Sequence, residues 1–226
     1  LMAKYNDERN ANQIYKKNGN GVFLEVLAPE PNFQKITIRI SKYNVNNDKG
    51  NRIEKTYSYF LSLPEMLGLC RYINNGSVKR MCDKIKKDNS SQVIWSKQGG
   101  SPASKGNPPR CRILSIVPAT RSRYADVIFK IEEGEARVTK EGLFAPAGRL
   151  DALSVGITFD ELYGMCEYIK VRIQAFATWM QMSGNYTYSG KTQEQPPEPI
   201  KDEPEERTDY GSNAYENYNT LFYNVG

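Results

Sequence analysis

Leu61-Ser62-Leu63-Pro64-Glu65-Met66-Leu67-Gly68-Leu69-Cys70-Arg71-Tyr72-Ile73 aligns without gaps on Ile157-Thr158-Phe159-Asp160-Glu161-Leu162-Tyr163-Gly164-Met165-Cys166-Glu167-Tyr168-Ile169. Glu, Gly, Cys, Tyr and Ile coincide in register, and the apolar positions between them are apolar in both copies. An internal repeat decides the architecture before any single residue is interpreted, because each copy must build the same unit.

Upstream of the junction the copies stay parallel. Asn12-Gln13-Ile14-Tyr15 echoes Gln92-Val93-Ile94-Trp95, and Leu24 to Leu27 echoes Leu114 to Val117. Phe33 to Ile40 echoes Tyr124 to Ile131. Ile36, Ile38 and Ile40 alternate with Lys35, Thr37 and Arg39, the period of two of a half-buried strand. Arg52 to Leu63 reads as a further strand. Pro64 stands where a first helical residue is tolerated, and Asp160 suits the positive end of a helix dipole. Leu162, Cys166, Ile169, Ile173, Phe176 and Met180 then recur at helical spacing.

Each copy therefore reads as four strands and a helix. The expected fold class is α+β: two antiparallel four-stranded sheets, each followed by a helix (ββββα twice), related by a pseudo-twofold axis. The repeats span about residues 11–88 and 91–183, preceded by an extension (1–10) and followed by a tail (184–226). A sheet with one apolar face needs a helix or another sheet over it, and its other face stays open as a binding platform.

Composition removes several function classes. The 226 residues contain no His, which takes away the commonest general base and metal ligand. The four cysteines show no CxxC spacing, and no GxxxxGK[ST] or GxGxxG sequence occurs. No catalysis, metal or cofactor is expected. Cys70 and Cys166 fall on apolar helix faces and read as buried thiols of a reducing compartment. No apolar run approaches the ~20 residues of a membrane span, and no signal peptide is visible; Leu1 before Met2 reads as a cloning remnant. A cytoplasmic protein, nucleoid-associated in a bacterial or phage-infected cell, is the expectation.

The net charge of +5 divides unequally. From Lys191 onward eight acidic residues oppose three basic ones, so the tail is acidic and residues 1–190 are strongly basic. A basic body calls for a polyanionic partner. Cations crowd the stretch from Lys79 to Arg123. Those near the end of the first helix suit its negative dipole end. Lys97, Arg110 and Arg112 flank Gly99 to Pro109, which contains Lys105 and reads as a mobile basic hairpin loop. Arg121 and Arg123 follow.

Single strands are held by stacking on aromatic rings while cations track the phosphates. If Ile36, Ile38 and Ile40 face inward, then Phe33, Lys35, Arg39 and Tyr43 face outward. By the same parity Tyr124 and Lys130 face outward, and Tyr15 and Trp95 form a second equivalent pair. Arg137 and Arg149 lie on a loop or extra hairpin marked by Gly142, Pro146 and Gly148, where Arg149 could meet a phosphate. The tail is dense in Pro and Glu and closes on an aromatic tip with Leu221, Phe222 and Tyr223. It reads as an acidic arm that competes for the basic body or recruits replication or recombination proteins.

Tyr57 to Leu67 and Leu153 to Leu162 resemble the two strand-to-helix junctions of the Whirly single-stranded-DNA-binding proteins. Phe176 to Trp179 sits where that family has an aromatic-rich final helix. Related designs occur in transcriptional coactivators and in kinetoplastid guide-RNA-binding proteins. The resemblance covers about residues 11–183 as topology and implies a non-enzymatic, sequence-tolerant single-stranded-DNA-binding protein. The family's Lys-Gly-Lys-Ala-Ala-Leu motif is absent, so no site residue is carried over through it. RNA binding, duplex-binding regulation and a protein-interaction module stay open as alternatives, as does a homo-oligomer.

Overall fold

The computed structural model describes residues 12–29, 34–48, 51–104, 106–140 and 142–183. The chain order is β1 (Gln13–Asn18), β2 (Val22–Leu27), β3 (Lys35–Tyr43), β4 (Ile53–Ser62), α1 (Leu63–Asn74) and α2 (Ser77–Lys87). Then follow β5 (Trp95–Ser101), β6 (Arg110–Pro118), β7 (Val127–Val138), β8 (Phe144–Pro146), β9 (Asp151–Ile157) and α3 (Phe159–Met182). The first sheet is an antiparallel meander, β1-β2-β3-β4. The second runs β5-β6-β7, and β7 then pairs with β9 along Val127–Glu133 and with short β8 at Ala136–Val138. The duplicated strand-and-helix architecture expected from the repeat is the observed one.

The inner faces and the helices share one core. Ile36, Ile38, Ile40 and Leu61 of the first sheet, and Leu114, Ile116, Phe129 and Ile131 of the second, are fully buried with Met66 and Leu162 of the helices. Strand β9 lies against β2 and β3, and β4 lies against β6 and β7. The inner faces are therefore covered by the opposite sheet as well as by helices.

Two departures from the repeat have local causes. The first half's helix is broken, where a single helix was expected. Asn75 ends α1, Gly76 takes φ +78°, and α2 restarts with the Ser77 N–H donating to Asn75 Oδ1 at 2.9 Å. Val171 and Arg172 occupy the equivalent positions in α3. They hold helical geometry without cost, so α3 runs on for 24 residues. Second, Gly99 and Gly100 belong to β5 rather than to the loop expected from Gly99 to Pro109; the connection to β6 starts only after Ser101. Paired strands claim the two glycines because Gly100 is where Phe144 packs: a Cβ there would come within 2.5 Å of that side chain.

The halves hold each other reciprocally. Glu65 accepts from the Ser62 N–H at 2.8 Å, and Glu161 accepts from the Thr158 N–H at 3.1 Å, so each helix begins with a capping box. Each of these glutamates also pairs with a lysine from the first strand of the opposite half: Lys97 with Glu65, and Lys17 with Glu161. Residues equivalent in the repeat touch each other at the axis itself. Lys55 pairs with Asp151, where Tyr57 Oη also donates to Asp151 Oδ2 at 3.0 Å, and the thiols of Cys70 and Cys166 meet where α1 packs on α3. All four cysteines are free and buried.

These clamps make acid stability measurable. Lys97, followed by the Ser62 backbone, pulls the Glu65 carboxyl down to about 2 against the opposing effect of burial. Burial raises Glu161, but the bonds from Lys17 and Thr158 outweigh it and the net shift is downward. A carboxylate held below its unfolded-state value of about 4.3 contributes stability that is fully present above that value. The contribution is lost as pH falls through the folded-state value. The melting temperature should therefore drop between about pH 5 and pH 2. In the Glu65→Gln/Glu161→Gln variant it should be lower at pH 6 and flatter over the acid range. A variant whose acid limb runs parallel to the parent's would show that the clamps do not carry it.

Candidate nucleic-acid interface

Strand register assigns the outer face of the first sheet. Residues paired across antiparallel strands share a face. Ile38 pairs with Val26 and Tyr59, all inward; Arg39 pairs with Glu25 and Ser58, all outward. The outer face therefore presents Lys16, Phe23, Lys35, Arg39, Tyr43 and Phe60, with Thr37, Ser41, Thr56 and Ser58 between them. Phe60 is 52% exposed, unusual for a large apolar side chain in a paired strand. Phe23 and Tyr43 lie 5.7 Å apart, centroid to centroid, and Lys16 Nζ sits 4.4 Å over the Phe23 ring. The Ser41 and Thr56 hydroxyls hydrogen-bond at 2.9 Å. Arg39 Nε is buried yet has no acceptor among the described residues. A buried donor without an acceptor is costly, and a phosphate or base oxygen brought to it would satisfy it.

The outer face of the second sheet is partly roofed. Cys111 is fully buried although it points outward, because its register partners are Gly100 and Gly134. Phe144 packs on Gly100 and Leu150 on Gly134, at distances that leave no room for a Cβ. The Gln98 amide secures the roof, donating to the Phe144 carbonyl at 2.6 Å. The β7–β9 excursion is thus a lid on its own sheet. Beyond the roof, Lys130 pairs with Ser115 and Ser154 and is the outer-face equivalent of Arg39. A 3.0 Å salt bridge to Glu132 occupies it.

The other sequence-derived candidates divide by this geometry. Lys35, Arg39 and Tyr43 stand on the first outer face and Lys130 on the second. Tyr15 and Trp95 are on neither. Tyr15 pairs with Val26 and Trp95 with Ile116, both inward positions, and both aromatics pack against the core. Burial, then the Glu161 carboxylate, raises the Tyr15 phenol to about 12. Lys97 and Arg112 are not on a mobile loop either. They lie in strands with inward parity, Lys97 held by Glu65 and Arg112 by Glu133 at 2.5 Å. Arg110 shares that parity and is half-buried. Arg121, Arg123 and Tyr124 are exposed at the β6–β7 turn. Arg137 and Arg149 are exposed around the roof. Phe33, Lys105, Leu221, Phe222 and Tyr223 lie outside the described residues.

Sequence reasoning missed Phe23, Phe60 and Lys16. The signal for the first two was present: once Tyr57, Tyr59 and Leu61 are core, Phe60 must point away, and Leu24 does the same for Phe23. At the end of β4 the outer face runs into a cleft of about 400 Å³, lined by Lys35, Phe60 and Ser62 on one side and by Lys97, Gln98 and Gly99 on the other. No group of three or more metal-ligating side chains occurs among the described residues. Among the described residues no helix is long and apolar enough to cross a membrane.

No protein-family model and no curated protein matches the chain. Solved structures of similar fold include the following two. One is WHY1 from Arabidopsis thaliana, at 11% identity and a TM-score of 0.40, covering 79% of this chain and 96% of that one. The other is MRP1/MRP2 of Trypanosoma brucei, at 10% identity and a TM-score of 0.35, covering 73% of this chain and 86% of that one.

Proposed function

We propose that this protein binds single-stranded nucleic acid, DNA before RNA, with little sequence preference and without catalysis. The observation that carries the reading is the outer face of the first sheet. Three aromatic rings stand among Lys16, Lys35 and Arg39, and the Arg39 Nε donor has no acceptor among the described residues. Any base has a face that can stack on a ring, so such a platform tolerates sequence. Duplex bases are already stacked on one another and cannot use it. Action in replication, recombination or transfer belongs to the same proposal, with the acidic tail (184–226) as a recruiting or competing arm and a cytoplasmic, nucleoid-associated setting.

The test is a binding series with one sequence offered as single-stranded DNA, as RNA and as duplex, over a range of salt. Single-stranded DNA should bind best, and its affinity should fall steeply with salt as phosphate contacts release counterions. Phe60→Ala should weaken it about tenfold, within the range for one lost stacked base. A chain ending at Gly190 should bind more tightly than the full chain. Preference for duplex, or salt-independent binding, would overturn the reading; preference for RNA would move it to the RNA alternative.

A further inference from the structure

Helix α2 is a separate helix where the second half has only the continuation of α3, and it buries its apolar side chains while its charged ones face out. Val78, Cys82 and Ile85 are buried against the protein. The exposed side carries Lys79, Arg80, Lys84, Lys86 and Lys87, against Asp83 as the one acidic residue of the helix. None of the five forms a salt bridge among the described residues; Arg80 hydrogen-bonds only the Asn75 carbonyl and the Ser77 hydroxyl. Arg80, Lys84 and Lys87 share one face at intervals of four and three residues, a row along the helix axis.

The β6–β7 hairpin adds to this row. The Cys82 thiol donates to the Asp126 carbonyl at 3.5 Å, and the same carbonyl accepts the Ala119 N–H at 2.9 Å, closing the hairpin at its base. At the tip, Arg121 and Arg123 are exposed and Tyr124 is 89% exposed. Seven cations and one bare ring are thus anchored side by side at the end of the second sheet, apart from the outer face of the first.

We propose that α2 and the β6–β7 tip form a second nucleic-acid contact, one that tracks phosphates and is engaged when a strand is long enough to leave the first sheet. The inference rests on the nucleic-acid reading above. A membrane surface fits less well, because an interfacial helix needs a free apolar face and that of α2 is buried. The break at Gly76 is what brings the cations here. An unbroken helix would have carried them along the axis of α1, as α3 does with its own second half.

The experiment compares a strand of about 8 nucleotides, sized for one surface, with one of roughly 40. The full-length protein and its Lys84→Gln/Lys87→Gln/Arg121→Gln/Arg123→Gln variant are measured over a salt series. For the long strand the variant should lose at least about tenfold in affinity, and its log–log salt slope should fall by about 3, as four lost phosphate contacts require. For the short strand it should match the parent. An unchanged long-strand affinity and slope would overturn the inference; if Phe60→Ala still weakened the short strand, the function itself would stand. Equal weakening of both strands would also overturn it, making this patch the primary site. So would loss of binding to anionic vesicles with both strands unaffected. Binding of neither strand by the parent would instead reject the underlying function. An unchanged melting temperature of the variant excludes unfolding as the cause.

Discussion

Phe129→Ala should cost about 3–5 kcal/mol, the range for truncating a fully buried aromatic residue. Phe129, the third residue of β7, is fully buried, with Ile116 on one side and Val155 on the other. Its repeat equivalent is Ile38, whose partner on the next strand is Tyr59. The two halves therefore fill one position with the same kinds of volume in opposite order: Ile with Tyr in one, Phe with Val in the other. Since Val155 is small, nothing on β9 can close over the missing ring, and the cavity persists. For a body of this size the melting temperature should fall by roughly 10 °C. Ile38→Ala should cost less, because the larger Tyr59 stays beside it. A loss under about 1 kcal/mol for Phe129→Ala would mean that the sheets collapse over the gap and that the core is not close-packed there.

The second large effect is expected at Gly100. A Cβ at this position would lie 2.4 Å from the Arg110 carbonyl oxygen and 2.5 Å from Phe144, so Gly100→Val must displace the roof or the strand. Stability should fall by about 1–3 kcal/mol, the usual range for overpacking. The specific readout is Cys111. In the parent it is fully buried, and burial pushes its thiol pKa up, so a thiol reagent should react slowly under native conditions. In the variant the labelling rate should rise several-fold, with Cys70, Cys82 and Cys166 still protected. Uniform labelling of all four would indicate global unfolding. No change in Cys111 would show that Phe144 is not its cover.

The repeat made the strands, the helix starts and the inward parity of Ile36, Ile38 and Ile40 legible, because periodicity is a local property of the chain. The Gly76 break is written in Asn75-Gly76, a turn pair, which the repeat masks because α3 runs unbroken through the equivalent Val171-Arg172. The fate of the cations was less legible. Lys97 looks like a phosphate ligand until the opposite half supplies Glu65, 32 residues away along the chain. Trp95 and Tyr15 point inward because of strand register, which the pattern around Ile94 and Ile14 is too short to reveal. Gly99 and Gly100 were read as loop because glycine usually marks one, whereas here they make room for a side chain from another strand.

The reciprocal lysine–glutamate clamps have a consequence for how such a chain could arise. When residue i of one unit grips residue j of another, and j is gripped back by i, the interface is isologous, the form taken by twofold dimers of identical chains. This protein carries that interface inside one polypeptide. The self-contacts of Cys70 with Cys166 and of Lys55 with Asp151 mark where the dyad would pass. A symmetric dimer must change both copies at once, so a kink in one helix or a lid on one sheet would appear twice or not at all. Joining the copies lifts that restriction. The kink at Gly76 and the lid carrying Phe144 each occur once, on opposite halves, and neither disturbs the grip that holds the halves together.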